Sequence, residues 1–161
     1  MSDFWDWAVR AYGAPGVAEA CLVLQDTHHQ CVPLILFGAW AEARGYGLDA
    51  EVCEAAVDTA RVWADEVITP LRTIRRRIKG PVSDMDAAAR HDIREQIKAT
   101  ELGAEKALMV SLEALIDPEA PGGVRSENVL RLARHWAPVV PRVALNHLRA
   151  RLSSGGYTSG I

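Results

Sequence analysis

A chain of 161 residues with 49% hydrophobic and 24% charged side chains is long enough to bury a real core, too hydrophobic for disorder and short for two ordinary domains, so one domain over 1–152 is expected. The net charge of -3 conceals an asymmetry: residues 1–70 hold 11 Asp/Glu against 3 Lys/Arg (net -8) and residues 125–152 hold 6 Arg against one Glu (net +5), which can steer partners or bind the ends of the fold together. The opening MSDFWDWAVRAYG lacks a basic stretch before its apolar residues, and the longest uncharged apolar run, 31–41, is well below the roughly 20 residues that span a bilayer, so neither a secretory signal nor a membrane segment is expected and the cytoplasm is the expected location.

Apolar residues recur at spacings of three and four, with almost no sustained alternation, which predicts an all-α fold. The first helix covers about 3–12, with Phe4, Trp5, Ala8 and Tyr12 staggered along it. Gly13 and Pro15 break it, and Pro15 suits the first turn of a second helix reaching about Gln25. The third, about 32–44, has no charge until Glu42; a helix apolar all round is a buried one, so this is the expected centre of the bundle. Pro33 fits its first turn, Gly45 and Gly47 stop it, and Asp49 is a good N-cap for the next.

That fourth helix runs over about 50–79, with a bend expected at Pro70, and ends at Gly80 and Pro81. Ser83 followed by Asp86 resembles a capping box opening a fifth helix to about Ile116, so a long antiparallel hairpin is expected. PEAPGG reads as a surface linker, and Ser126 starts a helix that Pro138 and Pro141 break before it resumes to about Leu152. Residues 153–161 have the composition of a flexible tail. The sum is a compact bundle of about six helices. The tryptophans are core by default, except that Trp5 and Trp7 cannot both face inward.

Three constellations could carry chemistry. In DTHHQC, residues 26–31, Asp26, His28, His29 and Cys31 are of ligand type, but neighbouring helical residues point about 100° apart, so only Asp26 and His29 are well placed to act together. The plainer reading is a polar turn capping the third helix, with no metal bound and no catalytic residue; Cys31 beside a histidine is the sole local nucleophile candidate and lacks any accompanying motif. Cys21, Cys31 and Cys53 have no CxxC spacing and read as buried free thiols.

The second constellation is LRTIRRRIK, residues 71–79, where Leu71, Ile74 and Ile78 make one face and Arg72, Arg75, Arg76 and Lys79 a basic stripe suited to phosphate or to ordinary solvation near a helix C-terminus. The third is Glu101, which falls inside the apolar stripe of Ile93, Ile97, Ala104, Leu108, Leu112 and Leu115 and needs a partner there. A hairpin folded about Gly80 and Pro81 puts Arg61 level with Glu101 and Arg72 level with Asp92.

The blocks FWDWAVRAYGAPGVAEACLVLQDTHHQCVPLILFGAWAEARG, WADEVITPLRTIRRRIKG and ELGAEKA together resemble a family of small all-helical proteobacterial proteins of unknown function, over roughly 4–116. Members carry aspartate, valine and asparagine where this chain has Cys31, Val32 and Pro33, a departure that weakens a site built there. The resemblance implies a cytoplasmic helical domain and no established reaction. Its recurring charges, matched by Arg72, Arg75, Arg76, Glu101 and Glu105, are compatible with an ion-pair network or an anion pocket.

The leading reading is a non-enzymatic protein-binding or adaptor module acting through an exposed helical face, either the aromatic, acidic first helix or the arginine-rich last one, with no cofactor. The alternatives are a small-molecule enzyme whose inter-helix cleft uses Asp26 and His29 on one wall and Arg72, Arg76 and Glu101 on another, taking an anionic ligand, and a nucleic-acid binder using the basic stripe and the C-terminal arginines.

Overall fold

The computed structural model describes residues 2–119 and 127–158. Among them the helices are α1 (Asp3–Tyr12), α2 (Val17–Asp26), α3 (Val32–Arg44), α4 (Ala50–Trp63), α5 (Thr69–Arg77), α6 (Ala87–Glu113), α7 (Asn128–Trp136) and α8 (Arg142–Ser154), and α4 runs into α5 through a π turn, Ala64–Ile68. The fold is all-α.

The third helix lies at the centre as its composition demands. Every residue from Pro33 to Ala41 is buried, and α1, α2, α4, α6 and α7 all pack on α3. Phe4 of α1 meets Phe37 and Trp40 with ring centroids 5.7 and 5.3 Å away, an aromatic knot fixing the start of the chain onto the core. Trp7 is buried and Trp5 only partly so, with the Lys106 ammonium 5.4 Å over its ring. The Asp3 carboxylate accepts from Arg44 and from the Trp40 indole at 3.0 Å, while Glu113 at the end of α6 accepts from Ser2 and from the Asp3 amide.

Gly38 shows why α3 and α7 can approach so closely. A methyl group there would sit 3.0 Å from the Val129 backbone nitrogen and from the Leu132 side chain. Asn128, wholly buried at the start of α7, donates to the Tyr46 carbonyl at 2.8 Å and accepts from the Leu48 amide at 3.2 Å, so the loop between α3 and α4 is clamped through a satisfied polar group.

Asp49 caps α4 through the Val52 amide at 2.8 Å, as its position predicts. The bend expected at Pro70 is instead absorbed one turn earlier. Proline has no N–H and its ring crowds the carbonyl four residues back, that of Glu66; the chain answers by widening into the π turn, where the Thr69 amide reaches the Ala64 carbonyl five residues behind. The hairpin also differs from expectation. Asp86, not Ser83, is the cap of α6, accepting from the Ala89 amide at 2.8 Å, and Arg90 reaches back to the Ile78 and Lys79 carbonyls at 2.9 and 3.1 Å to close α5.

Because 78–86 is not helical, the two arms are not mirrored about Gly80 and Pro81, and the expected pairing of Arg61 with Glu101 does not form. Arg61 points elsewhere, donating to the Trp136 carbonyl at 2.7 Å and lying 4.4 Å over its ring, and Asp92 and Ile93 are exposed. The predicted break at Pro138 and Pro141 separates α7 from α8. Residues 120–126, including most of the expected PEAPGG linker and the Ser126 helix start, lie outside the described residues, as do 159–161. Of the tail expected from 153, Ser153 and Ser154 complete α8, and Tyr157 sits edge-on to Trp7 at 6.1 Å.

Candidate functional site

Glu101 is the electrostatic centre of the molecule. It is only 6% exposed, and it accepts from Arg72 Nε at 2.7 Å, from Arg75 Nε at 2.6 Å and from Arg75 Nη2 at 3.3 Å. Desolvation pushes its carboxyl up, but the hydrogen bonds from Arg75 and Arg72 outweigh that and hold it below the ordinary carboxylate range. One turn on, Glu105 receives a single bond, from Arg72 at 3.0 Å, and sits beside the Glu101 charge; burial therefore wins and raises it. The two carboxylates share one arginine and move in opposite directions because Glu101 takes three donors and Glu105 one.

Asp26, the last residue of α2, pairs with Arg76 at 2.5 Å. The Gln25 amide and then the Arg76 guanidinium hold its carboxyl below the usual range. His29 follows in a left-handed conformation, φ 52°, which turns its carbonyl onto the Trp136 indole N–H at 3.0 Å. The expected capping role of this turn is not what forms: the N-cap of α3 is Cys31, with no side-chain cap.

Asp26, His29, Arg72 and Arg76 do wall one cleft, of about 300 Å3, together with Glu105 and Trp136. Glu101 and Arg75 stand behind it, lining the adjoining surface depression. His28 is not part of the cleft; it faces outward near His147 of α8. Cys31 lies in the cleft wall, but burial pushes its thiol up to about 12, as it does that of Cys21, so neither is a thiolate at neutral pH. Among the described residues no group of three or more His, Cys, Asp or Glu is placed to hold a metal ion.

Beside the cleft runs an apolar groove of about 440 Å3 between α1, α2 and α6, with Ala8, Cys21, Leu36 and Met109 in its floor and Val9, Tyr12, Leu22 and Leu102 on its exposed rims. Gln25 and Glu105 belong to both depressions, so the two form one trough with an apolar and a polar arm. Sequence reasoning missed Gln30, Asp65 and Trp136 as cleft residues. Asp65 had a faint signal, its place just ahead of Pro70; Trp136 had none, lying 107 residues from the carbonyl it binds.

Residues 3–112 match the model of a family described as "Protein of unknown function (DUF2390)". The chain belongs to that family. Comparison with curated proteins and with solved structures found no match. The stretch matched to DUF2390 spans α1 to nearly the end of α6 and so contains every trough residue named above except Trp136. No helix among the described residues is long and apolar enough to cross a membrane.

Proposed function

We propose that this protein is a non-enzymatic helical binding module of the cytoplasm whose apolar groove receives the apolar face of a partner protein's helix. One observation carries the reading: Val9, Leu22 and Leu102 are 52, 48 and 54% exposed around a single groove, with Tyr12 beside them, where lone exposed apolar side chains would need no explanation. A groove between helices with an aliphatic rim suits helix-in-groove recognition, and α1 is the aromatic, acidic helix that the sequence singles out. Three unpaired buried cysteines support the reducing compartment.

The test compares the wild-type protein with Leu22→Glu and Leu102→Glu, both at exposed positions that leave the core intact, in affinity capture from the native cell extract followed by reconstitution with the purified partner. A partner held by the wild type and lost by both variants supports the reading. Equal retention by all three proteins overturns it.

A small-molecule cleft is a second reading, favoured by the convergence of Asp26, His29, Arg72 and Arg76 on one cavity. The nucleic-acid reading is less supported, since Arg72, Arg75 and Arg76 are each tied to a carboxylate and present little net positive charge to phosphates.

A further inference from the structure

In the polar arm of the trough the inner donors are engaged while three acceptors have no partner; the exposed His29 ring and the outer nitrogens of Arg76 are the donors left over. Arg72 is tied to Glu101 and Glu105, Arg76 to Asp26, and the Trp136 indole to the His29 carbonyl. The Thr73 hydroxyl donates to the Thr69 carbonyl at 2.8 Å. Gln30 sits in the same wall, 4% exposed, and its Nε2 donates to the His28 carbonyl at 3.3 Å, which fixes the amide orientation: a flipped amide would set two oxygens against each other. Its Oε1 is then a buried acceptor with no partner.

Glu105 uses Oε1 for Arg72, and its Oε2 has no partner among the described residues; Asp65, presented by the π turn, likewise has none. The charges agree with this. Arg72, Arg75 and Arg76 are balanced by Glu101, Glu105 and Asp26, so Asp65 leaves the arm with one negative charge in excess. About 300 Å3 is at the small end of ligand cavities.

The unpartnered Gln30 and Glu105 oxygens and the excess negative charge together favour an occupant that brings hydrogen-bond donors and positive charge in a small volume. We infer that the cleft binds a primary ammonium group, with Gln30 Oε1 and the Glu105 and Asp65 carboxylates as its acceptors. This stands independently of what fills the apolar groove. It also gives a reason for the unpartnered amide and for a carboxylate placed where burial raises it, since an ammonium on Oε2 supplies the compensation that one bond from Arg72 does not. Either a free alkylamine or a lysine side chain carries that chemistry.

The test is titration of the full-length 15N-labelled protein at pH 7 with butylamine and, separately, with Nα-acetyl-lysine amide, following the Trp136 indole and Gln30 side-chain amide signals, with inorganic phosphate and acetate as anionic probes. Saturable shifts with an amine and none with the anions are expected, and the tighter of the two amines assigns the source. Glu105→Gln, which keeps an oxygen for Arg72, should weaken binding about tenfold, and Gln30→Met should weaken it severalfold. Urea unfolding of each variant confirms that it is folded before titration. Leu22→Gln and Leu102→Gln, which change the groove rim without adding charge beside Glu105, should leave the amine shifts unchanged, which separates this site from the groove. Saturation by phosphate or acetate, no saturable response to either amine, or unaltered amine affinity in both Glu105→Gln and Gln30→Met overturns the assignment.

Discussion

Replacing Glu101 by glutamine tests the electrostatic centre of the fold. The variant keeps the side chain's shape and one acceptor oxygen, but removes the charge and turns an NH2 group toward a guanidinium. Each charge-assisted hydrogen bond of this kind contributes about 1.5–3 kcal/mol, and breaking a fully buried pair costs about 3–5 kcal/mol. The upper figure does not apply, because Arg72 keeps its bond to Glu105 at 3.0 Å and the Arg72 and Arg75 side chains are 15 and 21% exposed, so water partly solvates them. A loss of about 2–3 kcal/mol follows, or roughly 4–12 °C in Tm for a chain of this size. Urea midpoints and thermal melts followed by circular dichroism measure it. The pH dependence gives an independent check on the cause. Glu101 is held below its ordinary value of 4.5 in the folded state, so its contribution is present above that value and is lost as the pH falls through the folded one. The gap between wild type and variant should be full at pH 7 and shrink in acid. A loss below about 0.5 kcal/mol, or a gap that stays constant into acid, would refute the reasoning.

Glu105→Gln should behave in the opposite sense: its folded carboxyl is raised above 4.5, so the charged form weakens the fold at pH 7, and the variant should match or exceed wild-type stability there and gain nothing once the pH falls below 4.5. Gly38→Ala should lower the unfolding free energy by about 1–3 kcal/mol, read as a lower urea midpoint with an unchanged slope, because the added methyl meets the Val129 backbone as well as the Leu132 side chain at 3.0 Å and the backbone cannot yield. Asp86→Ala should destabilise by about 1 kcal/mol in chemical denaturation, and Ser83→Ala by less than about 0.5, since only Asp86 caps α6; equal losses would restore the Ser83 cap. Ellman's reagent at pH 8 should label none of Cys21, Cys31 and Cys53 in the native protein and all three after unfolding, burial having raised every one of the thiols; rapid native labelling of Cys31 would show that the cleft opens down to it.

What was legible in the sequence follows from how local its cause is. The bounds of α3 were readable to the residue, because an uncharged apolar run punctuated by Pro33 and Gly45 leaves no competing start or stop. Asp49 was readable for the same reason. Ser83 and Asp86 are both competent caps, and the choice between them rests on how 78–86 crosses to α6 and on Arg90 reaching back over the end of α5, neither of which is a local property. Pro70 announces a distortion but not its form. Glu101 announces that it needs a cation, yet which arginine comes level with it depends on a connection that is not helical, so Arg61 was the wrong partner and Arg72 and Arg75 the right ones. Asp26 and His29 line one cleft, though not by helical spacing, since α2 ends at Asp26 and His29 lies in a left-handed turn; the cleft itself was not readable, because α5, the π turn and Trp136 come to it from distant parts of the chain.

Gln25 and Glu105 wall both arms of the trough, and through Glu105 the two arms are physically coupled. Its side chain is 23% exposed. A helix seated in the apolar groove would remove much of that remaining contact with water from a carboxylate that burial has already raised. Such a carboxylate then takes up a proton or acquires a cation at Oε2. In the first case groove binding tightens as the pH falls, because protonation is favoured more in the complex than in the free protein. In the second, an ammonium in the cleft tightens groove binding, and by linkage the seated helix tightens the ammonium by the same factor. Glu105→Gln removes the charge and with it both couplings, so a partner helix that binds that variant with no dependence on pH or on amine, while binding the wild type with both, locates the coupling in this one side chain. Amine dependence that survived Glu105→Gln would place it elsewhere in the cleft, with Asp65 and Gln30 the remaining acceptors.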